Sequence, residues 1–402
     1  MTTMQTVKGT RDISGKDAVL RSKVINILKN TFEKYGFQPF FTPALEYSET
    51  LKTKISEEML GLIYEFKDKA DRDIGLSYDL TLGLARFASS TQIQLPFKRY
   101  QIERAWRYEK PQSGRYREFW QADIDILGIE SAKAEAECLA CISEALKAIG
   151  INNFIIRINS RKLLDKIAQN SGLQEKEKLK AFQIIDKIDK IGEKEVQKEL
   201  TIILGKAKAD KFFKAINTKE KTDDIKELEK FSKAYRIKIQ FDPTLVRGLA
   251  YYTGLVFEIV SEENKNKQSI AGGGRYDDLI EKFGGRKIPA TGISIGLDRV
   301  CEILKIKEQQ NTVTKVYIIP ISEEQEDYAI SVLQELRSKN ISADISFSKP
   351  GKALEYANKQ GIPYTIFIGK EEKASKKVKL KDMKTGKETL LSLSDAVKML
   401  KG

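Results

Sequence analysis

Two segments far apart in the sequence combine arginines with aromatic residues, glycines and carboxylates. The first covers residues 107–119, and the second covers residues 245–258 and contains Arg247. A guanidinium stays charged at any working pH and pairs with phosphate or carboxylate oxygens two at a time. Together the segments predict a site that holds a polyphosphate beside a small zwitterion.

The first segment has the pattern of a strand–loop–strand hairpin. Arg107 and Glu109 are two residues apart and are expected on one face of a strand, and Arg115 and Arg117 follow a loop that contains proline and glycine. Such a hairpin can wrap a nucleotide, with one arginine on the α-phosphate and the acid aligning that arginine. The alternative is a surface hairpin whose charges are only solvated.

A third segment places an arginine after two glycines. Arg299 comes after Gly-Ile-Ser-Ile-Gly at 292–296, where we expect a strand to turn into a helix. Its planar head can stack on an adenine ring, which again favours ATP. The glycine triplet at 272–274 is a weak indicator, because such triplets also form ordinary tight turns.

Bulk composition limits the class of protein. The 402 residues predict two or three domains, and 32% charged with 41% hydrophobic residues is typical of a globular protein in solution. No apolar run approaches the roughly 18 residues of a membrane helix, so a cytoplasmic protein is expected. The net charge of +13 favours a polyanionic partner, although lysine-rich solvated surfaces would give the same value.

The chain has three cysteines and no histidine. Cys138 and Cys141 could form half of a zinc site, but neither a second pair nor a histidine is available to complete it. They lie in an amphipathic helical pattern at 134–146, which favours buried packing thiols. Without imidazole, acid–base chemistry falls to carboxylates, substrate phosphate or water.

Hydrophobic periodicity predicts an α+β protein. A helix is expected at 17–35, a proline-containing edge strand at 37–46, and an antiparallel sheet over 60–128 with a helix at 81–90. Lysine and glutamate dominate 161–235, where helical spacing predicts one buried stripe formed by Leu179, Phe182, Ile185, Ile188 and Ile191. Alternating strands and helices beyond residue 315 predict a small α/β domain with a partly parallel sheet.

These patterns divide the chain into segments. We predict a catalytic domain formed by 1–160 and 236–306, interrupted by a helical insertion at 161–235. A polar linker at 307–314 precedes the C-terminal domain at 315–402.

Several strings resemble class II aminoacyl-tRNA synthetases, and specifically histidyl-tRNA synthetases. Lys-Gly-Thr-Arg-Asp at 8–12 is similar to that family's N-terminal signature, and 37–46, 104–128 and 292–300 are similar to class II motifs 1, 2 and 3. The most specific string is Leu-Val-Arg-Gly-Leu-Ala-Tyr-Tyr-Thr-Gly at 245–254. The segments 356–364 and 378–386 resemble the family's anticodon-binding domain.

The resemblance implies a fold and a reaction. The fold is an antiparallel-sheet catalytic domain with a helical insertion and a C-terminal anticodon-binding domain. The reaction is ATP-dependent ligation of L-histidine to the 3′ end of tRNA(His) through histidyl-adenylate. It also implies Mg²⁺ held through ATP oxygens, tRNA(His) as partner, and a homodimer formed by motif 1.

Site roles follow from the same resemblance. For ATP it implies Arg107 at the α-phosphate and the substrate carboxylate, aligned by Glu109, with Arg115 near the outer phosphates and Arg299 against the adenine. Arg247 is expected to reach the substrate carboxylate and the α-phosphate during adenylate formation. The implied histidine-binding set is Asp79, Thr81 and Gln121 at the α-ammonium, Asp125 and Tyr252 at the imidazole nitrogens, and Tyr251 and Arg247.

Four positions depart from the family pattern: Ser77 replaces an arginine, Gly83 a proline, Trp120 a histidine or tyrosine, and Ala250 an aspartate. We expect that the changes at 77 and 250 removed one ion pair as a unit. The competing function is a non-catalytic, histidine-sensing regulatory subunit of ATP phosphoribosyltransferase. That family typically lacks the C-terminal domain and has an eroded arginine string at the positions around Arg247, whereas both features are present here.

Overall fold

The computed structural model describes residues 4–53, 57–111, 114–247, 251–263, 269–305 and 312–401. The chain forms two compact units, one of residues 1–12 and 24–306 and the other of residues 13–23 and 307–402. The predicted linker at 307–314 lies for the most part outside the described residues.

The first unit contains eleven strands among its described residues. They are β1 (Gln38–Pro39), β2 (Leu45–Tyr47), β3 (Glu65–Lys67), β4 (Asp73–Leu76), β5 (Phe97–Trp106), β6 (Glu118–Leu127), β7 (Phe154–Ser160), β8 (Gln240–Phe241), β9 (Leu255–Ser261), β10 (Ser269–Arg275) and β11 (Ala290–Gly296). The helices up to residue 305 are α1 (Gly15–Lys34), α2 (Ser48–Leu51), α3 (Glu57–Leu60), α4 (Leu80–Ser90), α5 (Lys133–Ala148), α6 (Arg161–Asn170), α7 (Glu175–Ile185), α8 (Ile188–Ile191), α9 (Glu193–Leu204), α10 (Lys206–Ile216), α11 (Asp223–Ala234), α12 (Leu279–Lys282) and α13 (Leu297–Leu304).

An eight-stranded sheet dominates this unit, in the order β1-β5-β6-β11-β10-β9-β7-β8. The six central strands are all antiparallel neighbours, and only the short edge strands β1 and β8 pair in parallel. Helix α5 packs against β6 and β11 and buries Cys138 and Cys141. The prediction that these cysteines are buried packing residues on a helix is therefore confirmed.

The segment at 37–46 is at a sheet edge, as its prolines predicted, but it is not one strand. Only Gln38 and Pro39 pair with β5, and the chain then enters a separate sheet of order β2-β4-β3. The predicted single sheet over 60–128 is therefore wrong in its first part, because β3 and β4 belong to this smaller sheet.

The lysine-rich segment between β7 and β8 forms helices α6 to α11, as its periodicity predicted. The predicted buried stripe is only half right. Phe182 and Ile185 are buried, whereas Leu179 and Ile191 are exposed. Helix α7 ends at Ile185 and α8 begins at Ile188, so the spacing of Ile188 and Ile191 does not continue the buried face of α7, whereas Leu179 lies within α7 on its exposed side.

The second unit contains a five-stranded sheet of order β13-β12-β14-β15-β16. Strands β12 (Val316–Pro320), β13 (Ala343–Ile345) and β14 (Tyr364–Ile368) are parallel, and β15 (Lys377–Asp382) and β16 (Glu388–Ser392) are antiparallel. Its helices are α14 (Glu326–Ser338), preceded by a 3₁₀ turn at Glu323–Gln325, α15 (Pro350–Gln360), α16 (Lys370–Ser375) and α17 (Leu393–Lys401). The predicted partly parallel α/β sheet is confirmed.

Among the described residues, no helix is both long enough and apolar enough to cross a membrane.

Candidate active site

Three neighbouring strands bring polar side chains into register on one face of the large sheet. Alternate residues of a strand share a face, so Gln121, Asp123 and Asp125 of β6 lie on the same side. Their pairing with β5 and β11 aligns the residues that we call the polar row: Arg99, Gln101, Glu103, Gln121, Asp123, Asp125, Gly292, Ser294 and Gly296.

A buried ion pair forms one end of the polar row. Arg99 Nη2 lies 2.7 Å from Asp125 Oδ2, with both side chains almost completely buried. The Tyr276 hydroxyl donates to Asp125 Oδ1. Burial raises the pKa of Asp125, and Arg99 and Tyr276 oppose that rise. Gly292 is required opposite this carboxylate, because a Cβ there would lie 1.9 Å from Asp125 Oδ1.

Asp123, which the sequence analysis did not select, is a buried carboxyl of the row whose pKa is strongly raised. Burial first, and then the charges of Asp125 and Asp79, raise the pKa of Asp123 to about 8, although Arg99 acts in the opposite direction. Desolvation disfavours the ionised form and like charges add to the effect. The row therefore contains a carboxyl that is mostly protonated near neutral pH.

Asp79 begins helix α4 and connects it to the tyrosine pair. Its Oδ1 accepts from the Thr81 backbone N–H at 2.6 Å, and its Oδ2 accepts from the Tyr251 hydroxyl at 3.1 Å. The ring of Tyr251 packs edge to face against that of Tyr252, with centroids 4.9 Å apart. Burial raises the pKa of Tyr252 to about 12, so its hydroxyl stays protonated.

Gln121 presents a buried acceptor. Its Nε2 donates to Ser294 Oγ at 2.7 Å, whereas Oε1 has no hydrogen-bond partner among the described residues. A buried carbonyl oxygen without a donor costs about 1–3 kcal/mol. A ligand that brings a donor, such as an ammonium, would remove that cost.

The hairpin arginines lie in the connection and not on the strands. Strand β5 ends at Trp106 and β6 begins at Glu118, so the prediction that Arg107 and Glu109 share a strand face is wrong. Arg107 Nε donates to the Tyr78 carbonyl at 3.1 Å, and Arg115 Nη1 lies 3.4 Å from Glu109 Oε2. These backbone and ion-pair contacts hold the loop where strand pairing has ended.

Arg247 lies beside the tyrosine pair. Its Nη1 is 3.3 Å from Glu258 Oε1, and its Nε has no hydrogen-bond partner among the described residues. Burial alone would lower the pKa of Arg247, but Tyr252 and Glu258 raise it overall. Gly272 makes room for this guanidinium, since a Cβ there would lie 2.2 Å from Arg247 Nη1.

Charged side chains from several segments act on the guanidinium of Arg299. Burial, followed by the charges of Arg115 and Arg247, lowers the pKa of Arg299, and Glu109 and Glu258 oppose this. Arg115 and Arg247, from two other segments, thus lie close enough to Arg299 for their charges to act on it. Positive charge gathered in this way is favourable for binding a polyanion.

The N-terminal signature contacts the hairpin and α13. Arg11 pairs with Asp298 at 2.7 Å, and its guanidinium lies 3.6 Å from the ring centre of Tyr116. Asp298 also accepts from the Trp120 backbone N–H at 2.9 Å. Trp120 pairs with Arg104 across β5 and β6, and its position on β6 alternates with that of Gln121. By strand alternation it lies on the face opposite the polar row.

Ser77 and Gly83, two of the departures from the family pattern, are accommodated locally. The Ser77 hydroxyl donates to the Pro43 carbonyl at 3.4 Å, and a Cβ at Gly83 would lie 2.9 Å from Thr42 Oγ1. Ala250 lies outside the described residues, so the hypothesis that positions 77 and 250 once formed an ion pair stays a prediction.

Comparison with known proteins finds a matching family model for each of two parts of the chain. A model of the family described as histidyl-tRNA synthetase matches residues 9–300, and one described as anticodon binding domain matches residues 315–402. A histidine–tRNA ligase of Pyrococcus horikoshii is 37% identical over 99% of each chain. That of Thermococcus kodakarensis is 36% identical over 99% of this chain and 98% of its own. The crystal structure of histidyl-tRNA synthetase from Nostoc sp. PCC 7120 matches 100% of this chain and 99% of its own, with a TM-score of 0.88 and 27% identity.

Proposed function

The chain belongs to the histidyl-tRNA synthetase family, and we infer that it is a class II enzyme that joins L-histidine to the 3′ end of tRNA(His) with ATP. A histidine carboxylate oxygen attacks the α-phosphorus of ATP, and the bond to pyrophosphate breaks. The terminal ribose hydroxyl of the tRNA then attacks the carbonyl carbon of histidyl-adenylate, and AMP leaves.

The observation that carries this function is the arrangement of charge around the candidate site. Buried acceptors lie at Asp79, Gln121 and Asp125, and a cluster of arginines contains Arg115, Arg247 and Arg299. We propose that the acceptors bind the α-ammonium and imidazole of histidine. The arginines bind the carboxylate and the phosphates, where fixed positive charge stabilises the developing negative charge.

Individual roles follow the family pattern. At the ammonium we propose Asp79, Thr81 and Gln121, and at the imidazole Asp125 with Tyr252 beside Tyr251. A carboxylate accepts the imidazole N–H proton, while a phenol can donate or accept. A wrong amino acid would leave these buried groups unpaired, which is the strongest form of discrimination.

For ATP we propose Arg107 at the α-phosphate, aligned by Glu109, with Arg115 towards the outer phosphates and Arg299 at the adenine. Mg²⁺ would enter with ATP. The described residues contain no cluster of three potential metal ligands, and Mg²⁺ commonly uses only one or two carboxylates with substrate phosphates and waters.

Exchange of labelled pyrophosphate into ATP tests the function. We expect exchange that depends on L-histidine and not on the other amino acids, followed by charging of a tRNA(His) transcript. Folded protein that binds histidine without exchange would contradict the proposal and favour the regulatory-subunit alternative.

We propose that the matched segments correspond to functional domains. The catalytic domain would comprise 1–160 and 236–306, the insertion 161–235, the linker 307–314 and the anticodon-binding domain 315–402. A cytoplasmic location is also proposed, and the three free thiols suit a reducing compartment. Cell fractionation that found the protein in membranes or outside the cell would contradict that location.

A second copy of the chain is the proposed partner at the small sheet. Leu45 and Tyr47 of β2 and Phe66 of β3 are each about half exposed, and Phe41 is 72% exposed just before them. Contiguous exposed apolar side chains are typical of a protein interface.

We expect Tyr47→Glu to convert a dimer to a monomer in sedimentation velocity, while Leu390→Glu, at a similarly exposed leucine of the second unit, leaves the dimer intact. A wild-type monomer at micromolar concentration would contradict the assignment.

The proposed tRNA contact in the second unit centres on exposed aromatic residues. Phe347 is 77% exposed and Tyr356 is 47% exposed, and three exposed lysines, Lys349, Lys352 and Lys359, lie nearby in sequence. Stacking of a base on an aromatic ring is worth about 1–3 kcal/mol.

We therefore expect Phe347→Ala to lower kcat/KM for tRNA(His) by roughly tenfold or more. Pyrophosphate exchange would be unchanged, because the variant removes no residue proposed for the activation site. Leu390→Ala, which removes a half-exposed leucine from β16, is the matched control. Equal losses in both variants would contradict a base contact at Phe347.

A further inference from the structure

Arg157 forks between three carboxylates that belong to different parts of the first unit. Its Nε and Nη2 each lie 2.6 Å from Asp242 Oδ2. Its Nη1 lies 2.6 Å from Asp189 Oδ2 in insertion helix α8 and 3.6 Å from Glu258 Oε2 on β9. Arg157 and Glu258 are direct neighbours across β7 and β9.

Two of these carboxylates control the surroundings of Arg247. Glu258 uses its other oxygen to contact Arg247 Nη1 at 3.3 Å. Asp242 begins the segment that leads to Arg247, and it accepts from the Thr244 backbone N–H and hydroxyl at 2.9 and 2.6 Å. Arg157 therefore fixes both the carboxylate that pairs with Arg247 and the start of the backbone that carries it.

The third carboxylate belongs to the insertion. Asp189 is 65% exposed on its side chain, whereas Arg157 is only 16% exposed. A second insertion residue, Asp186, also contributes to raising the pKa of Arg247. The insertion thus supplies negative charge on the side of the sheet where Arg247 lies.

We propose that Arg157 and Glu258 are positioning residues for Arg247 and that they couple helix α8 of the insertion to histidine activation. The proposal rests on the role of Arg247 given under the proposed function. The contacts explain the coupling, because one guanidinium nitrogen, Nη1 of Arg157, faces both Asp189 and Glu258. When Asp189 is neutral or withdrawn, Nη1 is left to Glu258, which is then drawn away from Arg247.

A double-mutant cycle between Asp189→Asn and Glu258→Gln tests this coupling. In pyrophosphate exchange we expect Asp189→Asn alone to lower kcat about threefold or more, with the KM for histidine changed less than twofold. Glu258→Gln alone should lower kcat about fivefold or more. In the Glu258→Gln background, Asp189→Asn should have no further effect, since a neutral amide does not compete for Arg157.

The matched control is Asp165→Asn, another insertion carboxylate, which pairs with Lys178 at 3.2 Å and with Arg161 at 3.5 Å. It should leave kcat unchanged in both backgrounds. The proposal would be overturned if Asp189→Asn left kcat unchanged in otherwise wild-type protein. It would also be overturned if Asp189→Asn lowered kcat by the same factor with and without Glu258→Gln. A general loss of insertion stability would instead appear in the control and in thermal unfolding.

A binding measurement distinguishes a failure of this coupling from a failure of the proposed enzymatic function. The affinity for an unreactive sulfamoyl analogue of histidyl-adenylate, measured by calorimetry, should show the same non-additive pattern. Wild-type protein without exchange would reject the activity, and the coupling would then be judged on analogue binding alone. Additive effects of the two substitutions on that affinity would reject the coupling.

Discussion

Replacing Arg247 by alanine is expected to slow histidine-dependent pyrophosphate exchange by at least about a hundredfold, the scale found when one preorganised donor to a developing oxyanion is removed. The guanidinium lies between Tyr252 and Glu258, and its Nε has no partner among the described residues. A donor held in place but not used by the protein is available to a ligand. The loss should therefore appear in kcat as well as in kcat/KM, because the charge at the α-phosphate changes during the reaction.

Stability should change little in the same variant. Glu258 keeps Arg157 as a partner when Arg247 is removed, so no carboxylate is left alone. We expect the free energy of unfolding to change by less than about 1 kcal/mol, as for a partly exposed ion pair. Arg104→Ala, which removes an exposed arginine 3.6 Å from Glu118, is the control and should retain exchange. A folded Arg247→Ala protein with normal exchange would place the chemistry elsewhere.

The sequence was most informative where side chains alternate along a strand. Gln121 and Asp125 were selected from the family pattern, and strand spacing alone would have added Asp123, which lies between them. Its partners could not be inferred in this way. Arg99 lies on β5 and Ser294 on β11, and their alignment with β6 depends on a register that only the folded sheet defines.

The hairpin shows where the strand pattern failed. Arg107 and Glu109 were expected to continue the strand, but the backbone leaves the ladder at Trp106 and returns to it at Glu118. Between these points the backbone N–H of Arg107 donates to the carbonyl of Arg117, and the Arg117 guanidinium lies over the ring of Tyr108 at 3.9 Å. Contacts of this kind bring Arg107 and Tyr108 opposite Arg117 without strand pairing, and the spacing of residues alone does not distinguish the two cases.

Each glycine of the triplet at 272–274 fills a position where a Cβ would clash, and Gly272 does so beside the candidate site. Gly272 lies directly beneath the Arg247 guanidinium, and any side chain there would displace it. The two residues are 25 positions apart and belong to different elements. A requirement of this kind arises from packing between strands, so no local pattern around either residue could have predicted it.

Replacing Arg99 by methionine is expected to cost about 3–5 kcal/mol of folding free energy, the usual loss when one partner of a buried ion pair is removed. Arg99 is fully buried and pairs with Asp125, and it also lowers the raised pKa of Asp123. Without the guanidinium, both carboxyls would have to remain in the sheet with no opposing charge. Urea denaturation followed by circular dichroism measures the loss.

The loss should depend on pH in one direction. Both carboxyls already have raised pKa values in the folded protein, that of Asp123 being about 8, and removing Arg99 raises them further. A folded state that binds more protons than the unfolded state loses stability as pH rises from the unfolded pKa of about 4 towards the folded pKa. Arg99→Met should therefore be closer to wild type at pH 5 than at pH 8.

A compensating substitution tests the cause. In the double variant Arg99→Met with Asp125→Asn, the charge that Arg99 neutralised is also removed, so we expect about half or more of the lost stability to return at pH 8. If the loss arose only from missing packing of the long side chain, the double variant would be no more stable than the single one. The deficit would then also be equal at the two pH values. Either result would contradict an electrostatic role for Arg99 in holding the polar row together.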